Sequence, residues 1–208
     1  MAELTLVPAV ILAGGLSRRM GEDKALIRLG ETPLALRVAA RLAPQVSTVH
    51  LNAPAEHVLS DTLPVLPDSL PDRPGPLAGV LAGMTAFSDR PNAPTHVLTT
   101  PCDTPFLPRD LVRRLAEQAD GGTIVIAASA GRTHPVTALW PMTLAADLKL
   151  WLVDPTHRRV FDFIARHRSK TVEFPLFDGP FRAVDPFFNI NTPEDLALAR
   201  IILERGVL

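Results

Sequence analysis

The residues best equipped for chemistry lie in one short stretch, Leu12-Ala13-Gly14-Gly15-Leu16-Ser17-Arg18-Arg19-Met20-Gly21-Glu22-Asp23-Lys24. It follows the apolar run 6–12, which ends at Gly14-Gly15 as a fully buried strand would. Two adjacent glycines let a backbone pass close to a ligand and aim its N–H groups at it. Arg18 and Arg19 can grip phosphate oxygens with paired donors, and Lys24 adds a compact positive charge. Together these residues describe a triphosphate cradle. The Gly-Gly pair alone would equally suit a strand-to-helix turn with solvated arginines. Two other phosphate motifs are excluded. A P-loop needs Gly-Lys-Ser/Thr opening a helix, and the spacing of Gly14-Gly15 breaks the dinucleotide pattern G-x-G-x-x-G.

A second polar group, Pro101-Cys102-Asp103, closes the short strand-like run 96–100. Cys102 is the single cysteine, so no intramolecular disulfide and no cysteine cage for a metal can form. It reads as a small buried residue, with no histidine beside it in sequence to make a thiolate. The six histidines are dispersed, with no pair at helical metal-ligand spacing.

The elements that must hold these groups alternate strand and helix along the whole chain. Strands are expected at 46–52, 62–66, 123–128, 133–139, 172–177 and 186–190 besides those already named. In the segment 33–43, Leu34, Val38 and Leu42 recur every four residues, the pattern of an amphipathic helix. A further helix begins at Pro76 with Leu77, Leu81, Met84 and Phe87 inward, and others are expected at 108–118, 142–153 and 157–167. The final helix has Thr192 as N-cap, Pro193 in its first turn, acids Glu194 and Asp195 at its positive end, and Gly206 as its stop. Leu196, Ala199 and Leu203 form its core stripe.

This alternation implies an α/β fold, a mainly parallel sheet with helices on both faces, in one domain spanning 1–208. Ligands of such sheets sit at the carboxyl ends of the strands, where the polar groups fall. The 208 residues carry a net charge of −1, which gives no general attraction to nucleic acid or anionic lipid. Apolar residues make up 47% and charged residues 21%, an ordinary globular balance. The N-terminal apolar run contains Pro8 and lacks a basic start, so neither a secretory signal nor a membrane span is expected, and a cytoplasmic setting follows by default.

The glycine-rich segment reads L-A-G-G-x-S-x-R-M-G-x-D-K, and further motifs follow in order: Leu51-Asn52-Ala53, Pro67-Asp68-Ser69-Leu70, Gly75-Pro76-Leu77-Ala78-Gly79, Pro101-Cys102-Asp103-Thr104-Pro105 and the run Asn189-Ile190-Asn191-Thr192-Pro193-Glu194-Asp195-Leu196. With these the chain resembles the nucleotidyltransferases of molybdenum cofactor maturation, over nearly its whole length and most closely their guanylyltransferase branch. The resemblance implies a Rossmann-like nucleotidyltransferase fold and transfer of GMP from GTP to molybdenum-bound molybdopterin, with release of pyrophosphate. It implies Mg²⁺ held at Asp103, a choice that agrees with the preference of that cation for carboxylate oxygen. Lys24, Arg18 and Arg19 would neutralise phosphate charge with it. Leu12, Ala13, Gly14, Gly15, Asn52, Asp68 and Gly79 would join Lys24 and Asp103 around the nucleotide. Whether Asn52 or Asp68 meets the base or the ribose stays open, and both are also common turn residues.

The acceptor would lie in the C-terminal half, near Asn189 and Asn191 and the pair Arg158 and Arg159. His134 could line the same mouth or serve a hydrogen-bonded structural role. Leu12 and Gly14 carry the expectation of GTP over CTP, since the cytidylyltransferase relatives tend to place Thr and Ala there. Other proteins of cofactor biosynthesis, or the recipient molybdoenzymes, are implied as partners. The alternatives are a molybdopterin cytidylyltransferase, a sugar-phosphate nucleotidyltransferase, and a carrier that binds nucleotide or pterin without turnover.

Overall fold

The computed structural model describes residues 7–13, 23–68, 70, 75–88, 92–178 and 183–205. In chain order its strands and helices are β1 (Ala9–Leu12), β2 (Arg28–Leu29), β3 (Thr32–Pro33), α1 (Leu34–Leu42), β4 (Val49–Asn52), β5 (Val65–Leu66), α2 (Pro76–Ser88), β6 (His96–Pro101), α3 (Leu111–Ala116), β7 (Ile124–Ser129), β8 (Arg132–Pro141), α4 (Ala145–Trp151), α5 (Val160–Ile164), β9 (Ser169–Phe174) and α6 (Pro193–Glu204). Among the described residues seven strands form one sheet in the order β5-β4-β1-β6-β8-β7-β9, and β2 and β3 form a separate antiparallel hairpin. All neighbours in the sheet run parallel except at β8, which is antiparallel to both β6 and β7.

The period-2 alternation of a strand distributes β1 between two cores. Ala9 and Ile11 face one cluster, built from Val38 and Leu42 of α1 and Leu111 and Leu115 of α3. Val10 and Leu12 face the other, with Leu77, Val80, Met84 and Phe87 of α2, Leu148 of α4 and Phe163 of α5. Helices therefore cover both faces, and the sheet is apolar on each side, as parallel sheets require. A third cluster seats α6 on the β2–β3 hairpin through Leu29, Leu34, Phe106, Ile190, Ala199 and Ile202.

Several expected elements differ in detail. The segment 186–190 is not a strand, and the nearby pairing is an isolated antiparallel bridge between Phe177 and Val184. The expected strand 172–177 starts earlier, at Ser169, because residues 169–174 pair in parallel along β7. The helix expected at 157–167 is reduced to Val160–Ile164, and that at 142–153 opens with a 3₁₀ turn at Met142–Leu144. On α6 the fully buried positions are Ala199 and Ile202, with Leu196 and Leu203 only partly covered, so the inward stripe is rotated from the one expected. The helix α2 is buried almost all round and is not amphipathic, which fits its seat between the sheet and α4.

The chain runs β1-β4-β5 in one direction across the sheet and returns to place β6 on the other side of β1. The carboxyl ends of β1 and β6 thus flank the point where strand order reverses, the usual ligand crevice of an open α/β sheet. The glycine-rich segment leaves β1 there, and Asp103 leaves β6 there.

Candidate active site

Asp103 is 7% exposed and lies two residues beyond β6. Both carboxylate oxygens are engaged. Lys24 Nζ lies 2.8 Å from Oδ2, and Asn189 Nδ2 donates to Oδ1 at 2.8 Å. The backbone is tied as well, since Ile190 N–H donates to the Asp103 carbonyl at 3.0 Å. Lys24 also donates to Asn191 Oδ1 at 2.5 Å. Four residues from three distant stretches of sequence therefore form one chain of polar contacts, Asn189–Asp103–Lys24–Asn191.

Each member is fixed by its own local structure. Lys24 opens the 3₁₀ turn Lys24–Leu26, which Asp23 caps by accepting from Ala25 N–H at 2.9 Å. The other Asp23 oxygen takes a hydrogen bond of 2.8 Å from His57 Nε2. His57 Nδ1 accepts from Leu59 N–H at 3.2 Å, so the proton of the neutral ring sits on Nε2, the nitrogen that meets Asp23. Asn191 precedes the N-cap of α6. Its backbone N–H and that of Thr192 both donate to Asp195 Oδ2, while Thr192 Oγ1 accepts from Asp195 N–H. This is the capping box, with Asp in place of the usual Glu.

Asn52 and Asp68 are joined directly. Asn52 Nδ2 spends its two hydrogens on the Leu66 carbonyl (3.0 Å) and on Asp68 Oδ1 (2.8 Å). Asn52 is buried, and its Oδ1 lies against Gly79 of α2, where a Cβ would stand 2.3 Å away. The same Cβ would meet Leu12 Cδ2 at 2.6 Å. Gly79 thus allows α2 to approach the ends of β1 and β4, and any side chain there would displace Asn52. Leu12 itself is largely within the core beneath α2. Ala13 N–H donates to the Asn52 carbonyl at 3.0 Å and continues the β1–β4 ladder. Asp68, half-buried, is the member of this group that can offer a carboxylate oxygen to a ligand.

Gly14, Gly15, Arg18 and Arg19 lie outside the described residues, as do Ser69 and Gly206. Arg158 and Arg159 are described, and both are exposed in the turn before α5. Arg158 Nε donates to the carbonyl of Pro155 in its own loop, and its backbone oxygen faces Gly75 at the start of α2. Neither arginine joins the Lys24–Asp103 group. Asn189 and Asn191 do join it, and so they hold the charged pair, a role the expectation of acceptor contact did not include.

Next to Asn189 is a cavity of about 130 Å³ bounded by Thr104, His134, Thr137 and Phe187. It lies where β8 bulges. Ile126 pairs with Ala138 but Ala127 pairs with His134, so the residues between, starting with Pro135, leave the ladder. Ser129 and Asp185 support its rim, and the sequence alone gave them no role. Ser129 Oγ donates to Asp185 Oδ1 at 2.6 Å and therefore accepts from His134 Nε2 at 2.7 Å. This is not a hydrolytic triad, because the buried serine gives its proton to the aspartate and keeps none for the imidazole. Burial lowers the affinity of His134 for a proton, against the opposing pull of Asp185. The Cys102 thiol is pushed up by burial and by the neighbouring Asp103 charge, so it is no nucleophile.

Asp103 offers a single hard carboxylate at the crevice. Among the described residues no group of three or more His, Cys, Asp or Glu could hold a metal alone. That donor set suits a cation completed by phosphate oxygens and water, the habit of Mg²⁺ at nucleotide sites, and does not suit an all-protein cage.

A family model described as the MobA-like NTP transferase domain matches residues 9–171, which include β1, Lys24, Asn52, Asp68, Asp103 and the β8 bulge. The chain belongs to the MobA-like NTP transferase family. A relative from Rhizobium meliloti (strain 1021), named molybdenum cofactor guanylyltransferase, is 50% identical over 94% of this chain and 91% of its own length. One of the same name from Rhizobium johnstonii (strain DSM 114642 / LMG 32736 / 3841) is 47% identical over 98% of each chain. The crystal structure of molybdopterin-guanine dinucleotide biosynthesis protein A from Archaeoglobus fulgidus superposes with a TM-score of 0.73 at 22% identity, covering 96% of this chain and all of that one. A nucleotidyl transferase from Methanothermobacter thermautotroptrophicus shares the fold at a TM-score of 0.70, with 22% identity over 97% and 99% of the two chains. In this MobA-like chain the matched segment ends inside β9, so Asn189 and Asn191 come from beyond it and fold back onto Asp103 and Lys24.

Proposed function

We propose that this chain is a molybdenum cofactor guanylyltransferase, transferring GMP from GTP to the phosphate of molybdenum-bound molybdopterin and releasing pyrophosphate. The observation that carries this reading is the Lys24–Asp103 pair at the carboxyl ends of β1 and β6, in a chain whose relatives bear that name. A carrier that only binds nucleotide would gain nothing from setting an ammonium and a metal-binding carboxylate side by side. The acceptor phosphate attacks the α-phosphorus of GTP, the bond to the β-phosphate oxygen breaks, and pyrophosphate departs. A phosphate nucleophile is already ionised near neutral pH, so the site needs no general base. Positioning and charge neutralisation carry the catalysis.

Asp103 would hold Mg²⁺, which when bound neutralises triphosphate charge. Lys24 shifts between the Asp103 carboxylate and phosphate oxygens, and Arg18 and Arg19 add charge from the glycine-rich segment. Gly14 and Gly15 would bring backbone N–H groups to the phosphates, and Leu12 and Ala13 would border the nucleoside. Asn52 orients Asp68, whose carboxylate suits donors on either the base or the ribose. On the acceptor side, the cavity beside Asn189 accepts a small polar body, and the NH₂ of Asn191 makes no hydrogen bond among the described residues. Arg158 and Arg159 would reach the acceptor only from the rim. The reaction belongs to the cytoplasm, and no described helix is long and apolar enough to cross a membrane. Proteins that supply the pterin or receive the product would be its further partners.

Pyrophosphate release by the purified protein with molybdopterin and Mg²⁺, compared among GTP, CTP and ATP, tests the proposal. Release that requires molybdopterin and favours GTP is expected. Equal use of GTP and CTP would remove the guanine assignment, and absence of release with every nucleotide would remove the enzyme.

A further inference from the structure

A cavity of about 570 Å³ lies on the α1 side of the sheet and shares no residue with the Lys24–Asp103 group. Its floor is apolar, with Leu29, Pro105, Phe106 and Leu203 among its lining residues. Its charged residues are Arg37, Arg41 and Arg109. None of the three meets a carboxylate within salt-bridge distance among the described residues. The nearest acid in sequence, Asp110, is engaged by Arg113 at 3.2 Å. Burial disfavours the charge of Arg41, and the nearby charge of Arg109 adds to that effect.

Unbalanced like charges beside an apolar floor are costly to maintain, and among the described residues no carboxylate relieves them. Arg37 is held by its Nε, which donates to the Leu29 carbonyl at 2.6 Å. Gln45, also in the lining, spends its amide on backbone. Its Nε2 donates to the carbonyls of Arg41 (2.9 Å) and Pro108 (3.0 Å), and its Oε1 accepts from Val112 N–H at 3.1 Å. The wall is therefore fixed, and the terminal nitrogens of the arginines remain as its donors. A cavity of this volume, mostly apolar and with few convergent charged groups, is of the size and character that take small organic ligands. Guanidinium groups in such a place match the oxygens of a phosphate.

We infer that the cavity between α1, the loop after β6 and the end of α6 is a second binding site, for a small organic phosphate whose apolar body rests on Phe106 and Leu203. The phosphate bridges Arg41 and Arg109, with Arg37 at its side. This site is separate from the one that takes the reacting nucleotide.

Phenyl phosphate and inorganic phosphate are the probes. Each is titrated calorimetrically into the native chain, into Arg41→Ala/Arg109→Ala and into Lys24→Ala. Phenyl phosphate is expected to bind the native chain and Lys24→Ala alike, at least about tenfold more weakly to the double arginine variant, and more tightly than inorganic phosphate. The double variant should melt no lower than the native chain, because it loses a like-charge contact, and phenyl phosphate should raise the melting temperature of the native chain and of Lys24→Ala but not that of the double variant. Binding that survives in the double variant and vanishes in Lys24→Ala would assign the anion to the catalytic centre and overturn the inference. Absence of phenyl phosphate binding to the native chain at millimolar concentration would overturn it as well.

Discussion

Replacing Lys24 with alanine separates what this residue contributes to the fold from what it contributes to the reaction. The change removes an ammonium 2.8 Å from Asp103 Oδ2 and 2.5 Å from Asn191 Oδ1. Opposite unit charges about 3 Å apart attract by roughly 6 kcal/mol at an effective dielectric constant of about 20, most of which is offset by desolvation. Removing one partner of a fully buried pair typically costs about 3–5 kcal/mol. Here the side chains are 22% and 10% exposed, and Asn189 still donates to the other carboxylate oxygen. Water can reach the orphaned Asp103, so a loss of about 2 kcal/mol in folding stability is expected, below that buried limit.

The kinetic loss is of a different kind. Lys24 would meet charge that develops on the transferring phosphate, and removing one such donor is expected to lower kcat/KM about a hundredfold, or about 2.7 kcal/mol. Urea denaturation gives the first quantity and pyrophosphate release with GTP and molybdopterin the second. Added Mg²⁺ should restore part of the stability of Lys24→Ala, because the freed carboxylate is then neutralised by the cation. A second cycle with Asn191→Ala should be non-additive by about 0.5–3 kcal/mol, since both variants delete the same hydrogen bond. A kcat/KM within about threefold of native would refute the role given to Lys24, whatever the stability.

Asp103→Ala should abolish turnover and leave a folded protein by circular dichroism, and near-native rates with Mg²⁺ would end its assignment as the metal residue. His57→Leu removes the support of Asp23 and so loosens the turn that aims Lys24. It should lower kcat more than it raises KM for GTP, and His57→Gln, which keeps a donor, should recover part of the loss. Equal changes in both variants would reduce His57 to a packing residue. His96 and His134 are both held below the usual histidine range, chiefly by burial. Their neutral forms favour the fold, so that contribution is complete above about pH 6.5 and is lost as pH falls through the lowered native values. The urea midpoint should therefore drop between about pH 7 and pH 5.5, and less steeply in His134→Asn. A flat profile in both would count against buried neutral histidines. Leu12→Thr with Gly14→Ala should erode the preference for GTP over CTP, read as the ratio of kcat/KM values. An unchanged ratio would move base selection to other residues.

Periodicity reveals which residues face a core, and it served well where that was the question. The four-residue spacing of Leu34, Val38 and Leu42 returned α1 almost to the residue, because one buried stripe decides that helix. Thr192, Pro193 and Asp195 marked the start of α6 because capping is local chemistry. Strand direction is not local. Residues 132–141 look the same to a pattern reader whether they run parallel or antiparallel, and only the short link from β7 at Ser129 to β8 at Arg132 forces the hairpin. The run 186–190 failed as a strand for a related reason. Phe188 and Ile190 pack with α6 and the β2–β3 hairpin while Phe187 packs against Phe174 in the main core, and Asp185, Asn189 and Ile190 bond to turns and to Asp103, leaving no ladder to join.

The site was legible in types and not in connections. A glycine pair followed by basic residues, and a carboxylate at a strand end, indicate phosphate chemistry in any order of folding. What no spacing could show is that Asn189 and Asn191 hold the two charges proposed to act on the phosphates, because the contacts span 86 and 167 residues of chain. The same holds for His57, a lone histidine in a loop with no pattern around it, which sets the turn of Lys24 through Asp23. It also holds for Asn52, whose two donors are spent on protein, leaving the carboxylate of Asp68 for a ligand. Sequence pattern finds the groups that meet the substrate, since their chemistry limits the choice of residue. The groups that aim them are found only once the chain has brought them together, since many residue types could serve and only their position decides. For this chain the consequence is specific. Substitutions at Asn189, Asn191 and His57 should alter catalysis through Asp103 and Lys24, and the effects at Asn191 and His57, which act through Lys24, should shrink toward zero in a Lys24→Ala background that retains residual turnover.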